Sequence, residues 1–320
     1  MVFCYNGTKD LGGIAMAYDL TKPLVIGISS RALFNLEEEN RIFEQQGLMA
    51  YEDYQVAHEQ DILEKGAGFP LVKAFLELNK LQEDRLVEVI IMSRNSPNTS
   101  LRIFNSIAHY GLDITRAALT GGLSIAPYLH AFKTDLFLSA HADDVQQAVD
   151  SNVAAGMIMT GCCPDDGDAP VRQIRIAFDG DAVLFGAESE RIYQQQGIDA
   201  FSQHERAYAD VPMQKGPFGN FLLTLAHIQA QFSNKASSPI RTALVTSRGA
   251  PAHERAVKTL RQWGVHIDEA FFLGGVSKKE VLSAFGAHIF FDDQDVHAKP
   301  ASEVVPSAVV PYRDGDNPRE

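Results

Sequence analysis

Two aspartates, Asp179 and Asp181, stand one residue apart directly after an apolar run, in the stretch RIAFDGDAVLF (175–185). Two neighbouring carboxylates at the end of a buried strand repel each other and lose hydration. A bound cation relieves that cost, because hard divalent cations such as Mg²⁺ prefer oxygen ligands and keep open positions for a phosphate. The pair alone is a common pattern, so its meaning depends on the other polar residues that accompany it.

Other polar residues follow apolar runs in the same part of the chain. They are Thr246 and Ser247 after TALV, Lys278 near a helix start, and Asp292 and Asp293 after HIFF. In open α/β sheets, ligands bind beyond the carboxyl ends of the strands. The sequence thus predicts that four carboxylates, a hydroxyl and a lysine meet at one edge of a sheet.

An internal repeat organises the elements that must position these residues. RIFEQQGLMA, from Arg41, matches RIYQQQGIDA, from Arg191, at six of ten positions. After small insertions, IIMSRNSP from Ile90 faces ALVTSRGAP from Ala243. A repeat of this length indicates a tandem duplication, which spans about 25–140 and 174–298.

Strands alternate with helical patterns in each copy, which is typical of βαβ units around a parallel sheet. The predicted fold class is α/β: two tandem doubly wound parallel-sheet units, each with a small helical cap insert. The predicted boundaries are 1–150 for the first copy with a cap at about 36–65, 151–171 for a linker, 172–300 for the second copy with a cap at about 186–215, and 301–320 for an extended or partly disordered tail.

The two copies differ at the candidate site residues. Opposite Asp179, Asp181, Thr246, Lys278, Asp292 and Asp293 stand Ser29, Arg31, Met92, Ile125, Ser139 and Ala140. The scaffold residues match while each candidate is replaced, which a purely structural role for the acids would not predict. The sequence therefore predicts chemistry in the second copy alone.

Composition excludes some classes of partner. The formal net charge of −13 opposes binding to nucleic acid or to an anionic membrane, and the 45% hydrophobic and 22% charged residues are typical of a soluble globular protein. Residues 1–20 lack the pattern of a signal peptide, and no apolar run is long enough to span a bilayer. We expect a cytoplasmic protein in which Cys4, Cys162 and Cys163 are reduced thiols.

Several stretches resemble known families. DGDAV after a strand, VTS after the next, a later lysine and FFDD are similar to the four motifs of the haloacid dehalogenase-like (HAD-like) phosphatases. VIGISSRALF, RIFEQQGL, FNSIAHYGL, AFDGDAVLF, SERI, LVTSR and HIFFDDQ resemble the cytosolic 5'-nucleotidase type I family more closely, over nearly the whole chain. The resemblance implies an Mg²⁺-dependent 5'-nucleotidase with AMP as the first substrate and IMP or deoxynucleotides as others.

The resemblance also implies residue roles. Asp179 would attack the phosphorus and form an aspartyl-phosphate. Asp181 would protonate the leaving nucleoside oxygen and later deprotonate the attacking water. Gly180 would let the backbone approach the phosphate. Mg²⁺ would be held by the Asp179 carboxylate, the Asp181 main-chain carbonyl and Asp292.

The remaining roles leave alternatives open. Thr246 would hydrogen-bond the phosphoryl group, with Ser247 as a rival, and Lys278 would neutralise its charge, with Lys279 as a rival. Asp293 would orient the ligands of the metal or contact the substrate. Arg248, matched by Arg94 in the repeat, would contact phosphate or base, or form a surface salt bridge.

Two other functions stay open from the sequence. One is a phosphatase acting on another small phosphomonoester, and the other is a nucleotide-binding regulatory protein whose first copy is the working part. The nucleoside monophosphate is the expected partner, and family members are oligomeric, so we expect a homo-oligomer. The first copy is expected to pack against the second and to shape the nucleoside pocket or an effector site.

Overall fold

A computed structural model describes residues 18–159, 171–232 and 238–311. In these residues ten strands form one sheet, in the order β3-β2-β1-β4-β5-β10-β9-β6-β7-β8. The strands are β1 (Leu24–Ile28), β2 (Val87–Ser93), β3 (Arg116–Leu119), β4 (Leu136–Ser139), β5 (Ala154–Ile158), β6 (Ile174–Phe178), β7 (Ile240–Thr246), β8 (Glu269–Phe272), β9 (Ile289–Asp292) and β10 (Ser307–Val309). This confirms the predicted α/β class with a mostly parallel central sheet.

Helices connect the strands in chain order. They are α1 (Ser30–Leu33), α2 (Glu37–Ala57), α3 (Phe69–Glu77), α4 (Leu101–His109), α5 (Ala126–Ala131), α6 (Ala142–Asp150), α7 (Glu188–Ala207), α8 (Gly219–Ala230), α9 (His253–Gln262), α10 (Lys278–Phe285) and α11 (Asp295–Ser302). Short apolar strands such as LVIGI in β1 are buried throughout, because helices cover both faces of the sheet.

The sheet consists of two runs with the same strand order. The first half (24–158) reads β3-β2-β1-β4-β5, and the second half (174–309) reads β8-β7-β6-β9-β10. The halves meet where β5 and β10 pair antiparallel, through Ile158 with Ala308 and Met157 with Val309. Every other neighbouring pair in the sheet is parallel. A duplication would leave this arrangement, although the duplication and the HAD-like assignment of each unit stay predictions.

One hydrophobic core runs across both halves. Phe178 at the end of β6 stacks on Phe291 of β9 with ring centroids 5.7 Å apart, and Phe218 lies 4.5 Å from Phe291. The same buried cluster includes Ile158 and Ala308, where the halves join. Burial of these large rings fixes the ends of β6 and β9, where Asp179 and Asp292 stand.

The two cap inserts are helical, as the sequence predicts. Each contains a helix bent at a glycine, α2 at Gly47 (φ 86°) and α7 at Gly197 (φ 82°). Glycine adopts this left-handed backbone region without the steric cost that a Cβ brings. The matched QQG sequences therefore put the same bend into both caps.

The structure corrects the predicted linker and tail. β5 lies within the predicted linker 151–171 and β10 within the predicted tail 301–320, and these two strands pair at the centre of the sheet. AAGMI is rich in Ala and Gly, which are depleted in strands, and SAV has only three residues, yet both are mostly buried where the halves join. The predicted loop GCCPDDGDAP with Cys162 and Cys163, residue Cys4, and the last residues of the tail lie outside the described residues.

Among the described residues, no helix has the length and apolar character that crossing a membrane requires.

A glycine at the junction of the halves offers a stability test. A Cβ at Gly156 would lie 2.9 Å from the Cβ of Ala308 and 3.1 Å from the Phe291 ring. Gly156→Ala is therefore expected to lower the free energy of unfolding by about 1–3 kcal/mol through overpacking, as urea denaturation would measure.

Gly186→Ala is the matched control, because the nearest atom to its Cβ would be an ordinary 3.5 Å away. Equal stability of the two variants would contradict the tight packing of β5 on β10.

Candidate active site

Lys278 lies between two of the predicted aspartates. Its Nζ is 2.8 Å from Oδ1 of Asp179 and 2.6 Å from Oδ2 of Asp292. Asp179 follows β6, its amide donates to the carbonyl of Phe291 on neighbouring β9, and Asp292 ends that strand. Lys278 is the first residue of α10, whose start is capped by the Ser277 hydroxyl. All three charged groups are almost fully buried.

Three carboxylates form a cluster in the described part of the chain. One oxygen from each of Asp179, Asp292 and Asp293 lies within 4.8 Å of the others. Burial first, and then the charges of Asp179 and Asp292, raise the pKa of Asp293 to about 8. Burial also raises the pKa of Asp179 to about 6, although the Lys278 charge opposes the shift.

The residues present fit a divalent cation. Oδ1 of Asp293 is buried and has no hydrogen-bond partner among the residues that the structure describes, so it is an acceptor left without a donor there. One ammonium faces three clustered carboxylates, and the excess negative charge is the kind that a hard cation compensates. The acidic cluster bears out the prediction of a divalent-metal site in its coarse form, without specifying the ion.

A wide turn separates Asp179 from the cap. In the first half the amide of Phe34 donates to the carbonyl of Ser30, four residues back, whereas Phe185 donates to Gly180, five residues back. The second half thus holds one more residue in this turn. Ala182 absorbs it with a left-handed backbone (φ 59°), a conformation that alanine rarely adopts and that is typical of functional loops.

Gly180 lets this turn approach β7. A Cβ there would lie 3.2 Å from the Thr246 hydroxyl oxygen. Thr246 is buried, and its Oγ1 accepts from the amide of Arg248 at 3.2 Å. The predicted residues Gly180 and Thr246 therefore meet, whereas Ser247 is exposed.

Asp181 lies apart from the acidic cluster. Its two oxygens accept from Nε and Nη2 of Arg248 at 2.7 and 2.6 Å, a bidentate ion pair. The sequence predicted that Arg248 contacts substrate or forms a surface salt bridge. The structure instead buries Arg248 to 3% exposure, with its guanidinium on Asp181 and on Glu205 of α7.

The lysine alternatives separate by position. Lys279 is partly exposed and pairs with Glu303 at 2.6 Å, away from the aspartates. Lys278 is the lysine beside Asp179 and Asp292.

The sequence interpretation missed two cap residues, Glu190 and Glu205. Oε1 of Glu190 accepts from Gln294, the residue after Asp293, at 3.3 Å. Burial raises the pKa of Glu190, and the charges of Asp181 and Asp179 add to the shift. The SERI stretch contains Glu190, but only packing of the cap on the strand ends reveals this proximity.

The first half keeps the turns without the acids. Ser29 caps α1, and its amide donates to the carbonyl of Leu138 as Asp179 donates to Phe291. The Ser139 hydroxyl accepts from the His141 amide, as Asp292 accepts from Gln294. In the described residues of this half, no acidic cluster of the same kind is found.

Most of the chain matches one known protein family. Residues 16–317 match the family model described as 5'-nucleotidase. The chain belongs to the 5'-nucleotidase family. It is 38% identical over 291 residues, 88% of its length, to human cytosolic 5'-nucleotidase 1B, of which the alignment covers 47%. The chain thus spans about half the length of this relative. These matches confirm the resemblance to 5'-nucleotidases that the sequence motifs indicated.

Removing Lys278 tests the charge balance of the site. Lys278→Ala leaves the buried aspartates without their ammonium and is expected to lower the free energy of unfolding by on the order of 3 kcal/mol. Added Mg²⁺ should restore more stability to this variant than to the wild type, because the more negative site binds the cation better. Urea denaturation with and without Mg²⁺ measures both effects.

Lys279→Ala is the control at the next residue. Its exposed ion pair with Glu303 is expected to contribute about 0–1 kcal/mol. Equal destabilisation of the two variants, or no response of Lys278→Ala to Mg²⁺, would contradict the assignment.

Proposed function

We propose that the protein is an Mg²⁺-dependent 5'-nucleotidase that hydrolyses a nucleoside 5'-monophosphate to nucleoside and phosphate. The observation that supports this most is the contact of Lys278 with Asp179 and Asp292, beside Asp293, in a chain of the 5'-nucleotidase family. A lysine within an acidic cluster suits a dianionic phosphate that arrives with a cation.

Asp179 is the proposed nucleophile. It attacks the phosphorus, the bond to the 5'-oxygen breaks, and a phosphoryl group is carried on the carboxylate. Lys278, at 2.8 Å, holds the Asp179 side chain in place and faces the charge that develops on the transferring group. Water then attacks the aspartyl-phosphate and releases phosphate.

Asp181 is the proposed acid and base. Its proton goes to the leaving 5'-oxygen, and in the second step the resulting carboxylate takes a proton from the attacking water. The carboxylate stands two residues after the nucleophile, at the wide turn that places it on Arg248. Arg248 orients it through both oxygens.

The cation site is proposed at the acidic cluster. The carboxylates of Asp179, Asp292 and Asp293 would hold Mg²⁺, together with the main-chain carbonyl of Asp181. When bound, Mg²⁺ supplies charge neutralisation and orientation of the phosphate. Asp293 contributes an oxygen that lacks a donor in the described residues, which favours a role as metal ligand over a contact with substrate.

The phosphate-binding residues are proposed from the close approach of the turn to β7. The Thr246 hydroxyl donates to a phosphoryl oxygen. Because Gly180 has no Cβ, its backbone can lie close to Thr246 and to the bound phosphate. Ser247 is exposed and is the weaker choice for this role.

The proposal extends to organisation. AMP is the favoured substrate, with IMP and deoxynucleotides as further candidates, since the sequence resembles the cytosolic type I enzymes. The second half (174–309) is catalytic, and the first half (24–158) is a HAD-like copy that shapes the nucleoside pocket or an effector site. We also propose that the enzyme works in the cytoplasm as a homo-oligomer.

Phosphate release from a nucleotide panel tests the function. The wild type should hydrolyse AMP with Mg²⁺ and lose activity after chelation, and Asp179→Asn should lower kcat by at least about a thousandfold because the nucleophile is gone. Ser29→Ala, at the matching position of the first half, is the control and should retain activity.

Other outcomes identify the alternatives. Faster release from sugar phosphates than from every nucleotide would indicate another phosphomonoester phosphatase. Tight nucleotide binding without turnover would indicate a regulatory protein. Full activity in Asp179→Asn would overturn the mechanism.

A further inference from the structure

A chain of buried ion pairs connects Asp181 to the cap. Nε and Nη2 of Arg248 donate to Asp181, and its Nη1 donates to Oε2 of Glu205, on cap helix α7. The Phe201 ring of the same helix lies 5.3 Å from the guanidinium carbon. The group that contacts the proposed acid is therefore held on its other side by the cap.

Glu205 is fixed from several directions. Its Oε1 accepts from the Ser189 hydroxyl at 2.8 Å and from Arg255 of α9 at 3.0 Å. It is 1% exposed. Burial alone would raise the pKa of Glu205, but the charges and hydrogen bonds of its partners outweigh burial, so the pKa lies below its usual range. Glu205 is thus a buried, charged carboxylate that shares Arg248 with Asp181.

In the first half an arginine also holds the cap, but the counterpart of Arg248 does not connect the cap to the turn after the strand. There Arg102 of α4 donates to Glu39 at 2.6 Å and to the carbonyl of Asp61, as Arg255 donates to the carbonyl of Val211. Arg94, the counterpart of Arg248, pairs instead with Asp144 of α6. An arginine thus contacts a cap carboxylate in both halves. The second contact, from the cap through Arg248 to the turn, occurs in the second half, where Asp181 stands in that turn.

We propose that Glu205 is a positioning residue that, through Arg248, fixes the place of the Asp181 side chain and so couples seating of the cap to proton transfer to the leaving group. Nη1 of Arg248 donates to Glu205, while Nε and Nη2 donate to the two oxygens of Asp181. Without Glu205 the guanidinium loses its carboxylate partner on the cap, and the contact that places the Asp181 side chain shifts. The inference rests on the proposed function.

The step that depends on this proton is specific. As the Asp179 oxygen bonds to phosphorus, the electron pair of the breaking bond stays on the 5'-oxygen, and the proton of Asp181 moves to that oxygen. A nucleotide with sulfur in place of the bridging 5'-oxygen leaves as a thiolate, which is stable enough to need little protonation. Loss of proton donation should therefore affect the oxygen substrate and spare the sulfur substrate.

The test compares kcat/KM for AMP and for its bridging-sulfur analogue, since kcat/KM reports the steps up to formation of the aspartyl-phosphate. Glu205→Gln should lose on the order of tenfold or more with AMP but less than about threefold with the analogue, as expected when acid catalysis is impaired. Asp181→Asn should show the same selectivity with a larger loss. Glu39→Gln, which removes a buried cap carboxylate in the first half, should leave both values unchanged.

Thermal unfolding shows whether Glu205→Gln folds. If it does not, Ser189→Ala replaces it, because this change removes one hydrogen bond to Glu205 and leaves every charge. It should give the same selectivity with a smaller loss.

The outcomes separate the two claims. An equal loss with both substrates, or no loss in either Glu205→Gln or Ser189→Ala, would overturn the coupling while leaving the hydrolase intact. A wild type that hydrolyses neither substrate would overturn the proposed function itself.

Discussion

The site depends on the neutralisation of buried negative charge. Asp179, Asp292 and Asp293 end two parallel strands at one edge of the sheet, and mutual repulsion would drive them apart or protonate them. Lys278 contacts two of the three, which leaves an excess of negative charge that a divalent cation can balance. The strand order, the start of α10 and the aromatic packing beneath the strand ends all hold these groups in place.

The sequence predicted that these side chains lie close together. The carboxyl ends of neighbouring parallel strands share an edge of the sheet, so Asp179, Thr246 and Asp292 could be placed there from the sequence alone. The register of the repeat favoured Lys278 but left Lys279 as an alternative, and the contacts in the structure separate the two lysines. Strand β5 was missed because AAGMI is rich in Ala and Gly, which are depleted in strands, and β10 because SAV has only three residues. Glu190, Glu205 and the true partner of Arg248 were missed because cap packing depends on tertiary contacts across long sequence separations.

The two halves show how one scaffold carries two different strand ends. The Ser29 amide donates to β4 as the Asp179 amide donates to β9, and the Ser139 hydroxyl accepts from the His141 amide as Asp292 accepts from Gln294. The second half holds an additional residue in the turn after β6, and Ala182 accommodates it in a left-handed conformation. The backbone therefore differs locally where the chemistry is proposed, while the strand order is unchanged.

The proposed mechanism requires that Asp179 becomes phosphorylated during turnover. Acid quenching of the enzyme with a nucleotide labelled in its phosphate, followed by peptide mapping, measures this directly. Label is expected on the peptide that contains Asp179. It should appear within one turnover and be absent from Asp179→Asn. Steady hydrolysis with no label on that residue, at every quench time, would contradict it.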